Sequence, residues 1–159
     1  MMINMLNRLK VFLDGLLPSR QNIFVKGINS NIDFWSREDV FDYSSTVTYK
    51  YGDFIHLDLG CNVGSEQGGM RYGVVVEDSP KLSRTVVVIP IHGSECYRAA
   101  HKYEAYINKP FVFLTKEHHF AEITQIRTVS KIRIKKKYGK IPTENIHEIK
   151  KVMKSVFKI

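Results

Sequence analysis

Short runs of β-branched residues, interrupted by glycine and proline, constrain the fold of this chain more than any other feature of its sequence. In residues 54–60, FIHLDLG, aliphatic residues alternate with His56 and Asp58, which is the period-two pattern of a half-buried strand. Because such runs follow one another without long helices between them, they predict a small antiparallel sheet. Strands are predicted at residues 54–60, 73–77, 84–91 and about 104–114, 120–126 and 129–134.

Two segments with helical periodicity flank these strands. Residues 4–17 carry leucines at 6, 9, 13 and 16, and Pro18 ends the pattern. We expect this short amphipathic helix to pack on the domain or on a second copy rather than on a membrane surface. Residues 19–50 read as polar and irregular, with one helical turn near Ser36. Residues 143–158 repeat apolar residues every three or four positions, which predicts a helix packed on the sheet.

Composition limits the class of protein. A chain of 159 residues with 43% apolar and 25% charged residues suits one folded domain with room for an extra arm. The net charge of +8 favours an anionic partner, with nucleic acid first. Cys61 and Cys96 form no CxxC motif, so free thiols in a reducing cytoplasm are expected. No apolar run approaches the roughly 20 residues of a membrane span, and neither a span nor a signal peptide is predicted.

The stretch GSEQGGMRYGVVV, residues 64–76, places one arginine between a glycine-rich loop and a buried strand. Glycine lets the loop adopt conformations that other residues avoid and approach a ligand closely. Arg71 therefore lies at the end of a strand, where a fixed guanidinium can meet a phosphate. The alternative is a surface arginine paired with Glu66.

Four segments in order, YGDFIHLDLG, GSEQGGMRYGVVV, TVVVIPI and TQIRTVSKIRI, resemble the PemK/MazF family of toxin endoribonucleases from type II toxin–antitoxin modules. The resemblance covers about residues 51–159 and leaves 1–50 outside, as an N-terminal extension. It implies an α+β fold, a small and strongly curved antiparallel barrel related to SH3 domains and to CcdB, with a C-terminal helix. It also implies a cytoplasmic homodimer that cleaves single-stranded RNA at short sequences without a metal or other cofactor, and an antitoxin protein that neutralises it.

The resemblance assigns Arg71 to the developing negative charge on the scissile phosphate. This chain departs from the family at three positions: Tyr72 replaces a proline, His92 a threonine or serine, and Thr124 an aspartate. An imidazole ordinarily titrates near pH 6.5, so His92 is a candidate catalytic acid or base. A non-catalytic substitution is the alternative.

The resemblance implies RNA contacts from the glycine-rich loop and from the QIRT segment. The alternative for Glu66 and Gln67 is that their side chains hydrogen-bond backbone amides and hold the loop in place. Lys131 and Arg133, on one face of a predicted strand within the basic run KIRIKKKYGK, are further candidates. The other histidines lack metal-ligand spacing, and His118 and His119 should point to opposite faces of a strand, so no metal site is predicted. The candidate RNA-binding residues are Ser65, Glu66, Gln67, Gln125, Arg127, Lys131 and Arg133.

Two other functions remain open at this point. A non-catalytic relative would bind RNA through the same basic groove but would have lost proton transfer through the changes at His92 and Thr124. A protein-poisoning module on the same fold, like the gyrase poison CcdB, would act on a protein and not on RNA. Cleavage by an RNA toxin is the function that the SEQGGMR loop favours.

Overall fold

The computed structural model describes residues 2–108 and 111–159. Two helices come first, seven strands follow, and a third helix ends the described chain. Their bounds are α1 (Met2–Asp14), α2 (Pro18–Glu38), β1 (Asp53–Asp58), β2 (Met70–Val75), β3 (Thr85–Ser94), β4 (Glu104–Ile107), β5 (His118–Glu122), β6 (Arg127–Ser130), β7 (Ile134–Lys140) and α3 (Thr143–Phe157).

All seven strands belong to one antiparallel sheet of order β4-β5-β3-β2-β1-β7, with β6 paired to β3. The ten-residue β3 organises the sheet, because its first half pairs with β6 and its last four residues pair with β5. This confirms the predicted α+β class. Within the described residues β4 and β7 end the path without pairing to each other, so closure into a barrel is not confirmed.

Both faces of the sheet are buried, since two apolar clusters lie on opposite sides of it. Phe54 and Val74 belong to the cluster that packs against α3 through Ile149 and Val152. Ile55 belongs to the second cluster, which also holds Leu57, Val75 and Val88. As a result β1 is buried almost throughout, and even Asp58 is only 6% exposed. The helix predicted at 143–158 is confirmed as α3.

The structure corrects two elements of the sequence prediction. The sequence predicts an irregular segment over residues 19–50, but the 21-residue helix α2, Pro18–Glu38, covers most of it. Pro18 begins this helix, because proline is well suited to the first helical turn, where its missing N–H has no partner to lose. The strand predicted at 129–134 is instead β6, a 3₁₀ turn at Lys131–Arg133 and the start of β7.

Helix α1 has no buried residue, so the expectation that its leucines pack on the sheet is wrong. Leu6 is 53% exposed and Leu9 is 37% exposed. The packing of α1 against α2 includes an edge-to-face contact between Phe12 and Phe24, with ring centroids 5.0 Å apart. Burial of the leucines against a second copy stays a prediction. In the described part of the chain, no helix is long and apolar enough to cross a membrane.

The two N-terminal helices should contribute unequally to stability. We expect deletion of residues 2–16 to change the free energy of unfolding by less than about 1 kcal/mol, because a 13-residue helix with no buried side chain adds little. Deletion of residues 2–38 should cost about 3 kcal/mol, because it removes Phe34, which is 4% exposed. Urea denaturation of the two truncated proteins measures both values. Equal losses in the two would contradict the assignment of α2 as the anchored helix.

Candidate active site

The loop between β1 and β2 fixes the position of Arg71. Leu59 and Gly69 pair across its base, with the Leu59 N–H donating to the Gly69 carbonyl at 2.9 Å and the Gly69 N–H to the Gly60 carbonyl at 2.7 Å. Gly60 and Gly69 adopt φ values of 73° and 66°, which side chains with a Cβ strongly disfavour. Arg71 follows two residues later, as the second residue of β2, so its backbone is held by the sheet.

The Arg71 guanidinium is oriented by neutral groups. Its Nε–H donates to Oε1 of Gln67 at 3.0 Å, and its Nη1 donates to the Met70 carbonyl at 3.0 Å. Among the described residues it forms no ion pair, so the alternative of a pair with Glu66 is not found. A half-buried guanidinium held by two hydrogen bonds retains donors and its full charge for an anion.

A hydrogen-bond network joins the glycine-rich loop to the QIRT segment. Oε1 of Gln125 accepts from the Gln67 backbone N–H at 3.1 Å and from Arg127 Nη2 at 2.6 Å. Arg127 Nη1 also donates to the Gln67 carbonyl at 3.2 Å, and Gln125 Nε2 donates to the Ser65 carbonyl at 3.3 Å. These four candidate RNA-binding residues therefore lie together beside Arg71. Glu66 lies in the same loop with its side chain exposed.

Arg71 and His92 share one cavity of about 320 Å³. Tyr72 and Ile91 are paired across β2 and β3, and Arg71 and His92 lie one residue beyond them on the neighbouring strands. The two predicted catalytic residues are thus adjacent, although 21 positions separate them in sequence. The cavity is lined by Met70, Arg71, Tyr72, Ile91, His92, Gly93, Leu114, Thr115, Lys116 and His119.

The His92 imidazole stands against two carboxylates that the sequence did not reveal. Its Nε2 lies 3.3 Å from Oε1 of Glu104 and 3.2 Å from Oε1 of Glu122, and its ring stacks on Phe120 with centroids 5.3 Å apart. Arg98 binds both oxygens of Glu104, at 2.6 and 2.7 Å, and its guanidinium carbon lies 4.0 Å from the centre of the Phe120 ring. Glu104 itself is 4% exposed. The imidazole is therefore held in one orientation by charge and by stacking.

The two glutamates differ in their proton affinity. Burial alone would raise the pKa of Glu104, but hydrogen bonds from Arg98, the His101 backbone and His92 outweigh it and lower this pKa to about 2. Burial and the neighbouring charge of Glu104 raise the pKa of Glu122. Glu104 is therefore a fixed anion, whereas Glu122 is the carboxyl group that takes up a proton more readily.

Oxygen and nitrogen atoms of His92, Glu104 and Glu122 all lie within 4.8 Å of one another, and in the described part of the chain this is the only group of three with ligand atoms so close. The Arg98 guanidinium already neutralises Glu104 through both of its oxygens and has a nitrogen 3.4 Å from His92 Nε2. A cation at this point would be repelled by that guanidinium. We therefore do not assign these residues as metal ligands.

The sequence predicts Lys131 and Arg133 on one face of a strand. In the structure both residues instead lie in the 3₁₀ turn Lys131–Arg133. Lys131 is 2% exposed, its Nζ donates to the Pro80 carbonyl at 2.6 Å, and burial lowers its pKa. We therefore exclude Lys131 from the candidate RNA contacts. Arg133 donates to the Asp58 carbonyl at 3.3 Å and to Asn31 of α2 at 3.4 Å, next to Gly60 of the glycine-rich loop.

An antiparallel sheet carrying a C-terminal helix, with a guanidinium and an imidazole lining one cavity on two neighbouring inner strands, defines a small α+β protein with a candidate anion site on the sheet. Residues 50–157 match the model of the PemK-like, MazF-like toxins of type II toxin–antitoxin systems. The chain belongs to that family. A search of curated proteins by sequence gave no match.

Solved structures show the same fold at low identity. MazF from Deinococcus radiodurans is 15% identical with a TM-score of 0.55, and the match covers 72% of this chain and 100% of that one. A mycobacterial endoribonuclease, solved in complex with its cognate antitoxin, is 16% identical with a TM-score of 0.52, and the match covers 70% of this chain and 96% of that one. The family match starts at residue 50, so α1 and α2 lie outside it.

Proposed function

We propose that this protein is a toxin endoribonuclease that cleaves single-stranded RNA at selected sequences without a metal ion. One observation carries the proposal: Arg71 and His92 line a single cavity. The Arg71 guanidinium has no ion-pair partner among the described residues, and His92 has an imidazole ring that can exchange a proton. Family membership supports it, because the family consists of toxins and a structural neighbour is described as an endoribonuclease. Residues 51–159 would form the catalytic domain and residues 1–50 an extension of it.

The proposed reaction uses groups of both the protein and the RNA. The ribose 2′-hydroxyl loses its proton to His92, its oxygen attacks the adjacent phosphorus, and the bond from phosphorus to the 5′-oxygen breaks. The leaving 5′-oxygen takes up a proton from solvent water, the imidazolium of His92 returns its proton to solvent, and the products are a 2′,3′-cyclic phosphate and a 5′-hydroxyl. Arg71 donates hydrogen bonds to the phosphoryl oxygens, on which negative charge accumulates in the transition state.

His92 can accept this proton at only one of its ring nitrogens. Nε2 faces the carboxylates of Glu104 and Glu122, which accept hydrogen bonds, and also lies 3.4 Å from Nη2 of Arg98, which donates them. The two shorter carboxylate contacts favour a hydrogen on Nε2, which leaves the lone pair on Nδ1. The carboxylates also stabilise the imidazolium that forms when Nδ1 takes the proton, as a carboxylate does behind a catalytic histidine. Glu104 and Glu122 are thus positioning residues for His92.

RNA contacts outside the reaction centre are proposed for the loop and the QIRT segment. Ser65, Gln67, Gln125 and Arg127 are joined to one another next to Arg71, and Glu66 extends from the same loop. Arg127 adds a second guanidinium close to the cavity. The proposed partners are single-stranded RNA, an antitoxin protein and a second copy of the chain, with the cytoplasm as the location of action.

Cleavage of a mixed RNA substrate in the presence of EDTA tests the function. We expect new RNA ends at a restricted set of sequences, with a 2′,3′-cyclic phosphate or 3′-phosphate on one fragment and a 5′-hydroxyl on the other. Cleavage that disappears in EDTA and returns with Mg²⁺ or Mn²⁺ would contradict a metal-independent mechanism. RNA binding without any cleavage would select a non-catalytic relative, and gyrase inhibition without an effect on RNA would select a protein poison.

A further inference from the structure

Helix α2 lies directly against the loop that holds Arg71. At Gly27 the two backbones approach so closely that an added Cβ would lie 2.5 Å from Cβ and 2.9 Å from Cα of Cys61. Contacts between carbon atoms this short are essentially forbidden, so glycine is required at this point. The close approach fixes the distance between α2 and the loop.

Two more residues of α2 hold the helix in place. Oδ1 of Asn31 accepts from Nη2 of Arg133 at 3.4 Å, next to Gly60 of the loop. Phe34 is buried, and the cationic groups of Arg133 and Lys135 each lie 4.9 Å from the centre of its ring. Helix α2 is therefore attached to the sheet on the side of the glycine-rich loop, as a fixed neighbour of the candidate active site.

Between α2 and the loop lies a second cavity, of about 500 Å³, which falls in the size range of pockets that hold small molecules. Met70 and Arg71 line this cavity and also the one that contains His92, so the two cavities are neighbours along the start of β2. The α2 side of the second cavity is lined by Ile23, Lys26, Gly27 and Ser30.

The charged groups on this second cavity are divided between its two sides. Lys26 is an exposed cation on the α2 side. Opposite it, Asp58 is buried and accepts a hydrogen bond from the Gly60 N–H at 2.8 Å, while Glu66 is exposed. A phosphate placed between Lys26 and Arg71 would meet two cations, and the exposed carboxylate of Glu66 can accept hydrogen bonds from a base amino group.

We propose that this second cavity binds a nucleotide next to the scissile phosphate, with Lys26 contacting its phosphate, so that α2 forms one wall of the RNA site. The inference rests on the proposed function and extends it to a part of the chain outside the family match, which begins at residue 50. The N-terminal extension then adds to RNA affinity through Lys26 and limits the space of the nucleotide site through α2.

Substitution of Lys26 tests the proposal in the full chain. The probe is a short, fluorescein-labelled RNA of randomised sequence with 2′-O-methyl riboses, which binds but cannot be cleaved, and affinity is measured by anisotropy over a series of salt concentrations. We expect Lys26→Gln to weaken binding across sequences and to lower the slope of log affinity against log salt by about 0.7, the value for one phosphate contact to a single strand. Arg20→Gln, on the same helix but outside the cavity, should leave both quantities unchanged.

A second variant tests whether the position of α2 against the loop affects RNA cleavage. Gly27→Ala forces α2 away from Cys61, so we expect a changed set of cleavage positions in mapped RNA 5′ ends while cleavage still requires Arg71. Equal affinity and salt slope in Lys26→Gln and the natural protein would overturn the proposal even if Arg71-dependent cleavage is intact. Absence of RNA binding and cleavage in the natural protein would instead overturn the proposed function, and this inference with it.

Discussion

Substitution of Arg71 by alanine should lower the rate of RNA cleavage by about 10² to 10³-fold, the usual effect of removing one preorganised donor to a developing oxyanion. The guanidinium is held by Gln67 and by its own strand, so it meets the phosphoryl oxygens without reorganisation. The rate should be measured under single-turnover conditions at saturating protein, so that it reports the chemical step and not RNA affinity.

Two further variants separate charge from geometry at this position. Arg71→Lys keeps the charge but loses the planar set of donors, so we expect an intermediate rate. Arg8→Ala, on the exposed helix α1, is a matched control that should cleave at the natural rate. An unchanged rate in Arg71→Ala, with the urea midpoint also unchanged, would remove Arg71 from the mechanism.

The residues of the candidate site differ in how far the sequence could predict them. Arg71, Gln67, Gln125 and Arg127 belong to two short local motifs, and the structure places them in one hydrogen-bond network. A local motif fixes the spacing of its own residues along a loop or strand, so a resemblance over such segments locates them well. Their roles toward RNA stay predictions.

The surroundings of His92 could not be predicted in the same way. Glu104 and Glu122 face each other as a cross-strand pair of β4 and β5, and Arg98 approaches from the connecting segment before β4. Strand register, not spacing along the chain, brings these charges together, and a single sequence does not report register between strands. The presence of a glutamate in each of two predicted strands was the only available signal.

Helix α2 was missed for a different physical reason. The leucine pattern of residues 4–17 stops at Pro18, but proline is equally suited to begin a helix. The helix also has a glycine at position 27 and only two buried residues, Gly27 and Phe34, so it shows no continuous apolar face. Its position depends on one aromatic side chain and one close backbone contact, which periodicity does not detect.

The second large effect concerns His92. If His92 accepts the proton of the 2′-hydroxyl, His92→Ala should lower the cleavage rate by about 10² to 10⁴-fold while RNA affinity changes little. In the natural protein the rate should rise with pH within the range of about 5 to 8, because a base must be unprotonated to act. His147→Ala, on the exposed side of α3, is the control and should keep both the rate and its pH dependence.

Glu122→Gln then tests the carboxylates behind the imidazole. The pKa of Glu122 is raised by burial and by Glu104, so its charge appears only as the pH rises through that pKa, and in the natural protein this charge supports the imidazolium that forms during the reaction. The neutral amide removes that support. We therefore expect a lower rate, and the inflection of the pH–rate profile should move to lower pH because the ring holds its proton less tightly. Glu148→Gln, remote on α3, should leave the profile unchanged.

A natural protein whose rate does not vary over this pH range, together with a fully active His92→Ala variant, would contradict the acid–base assignment of His92. Arg71 would then be the residue on which catalysis depends.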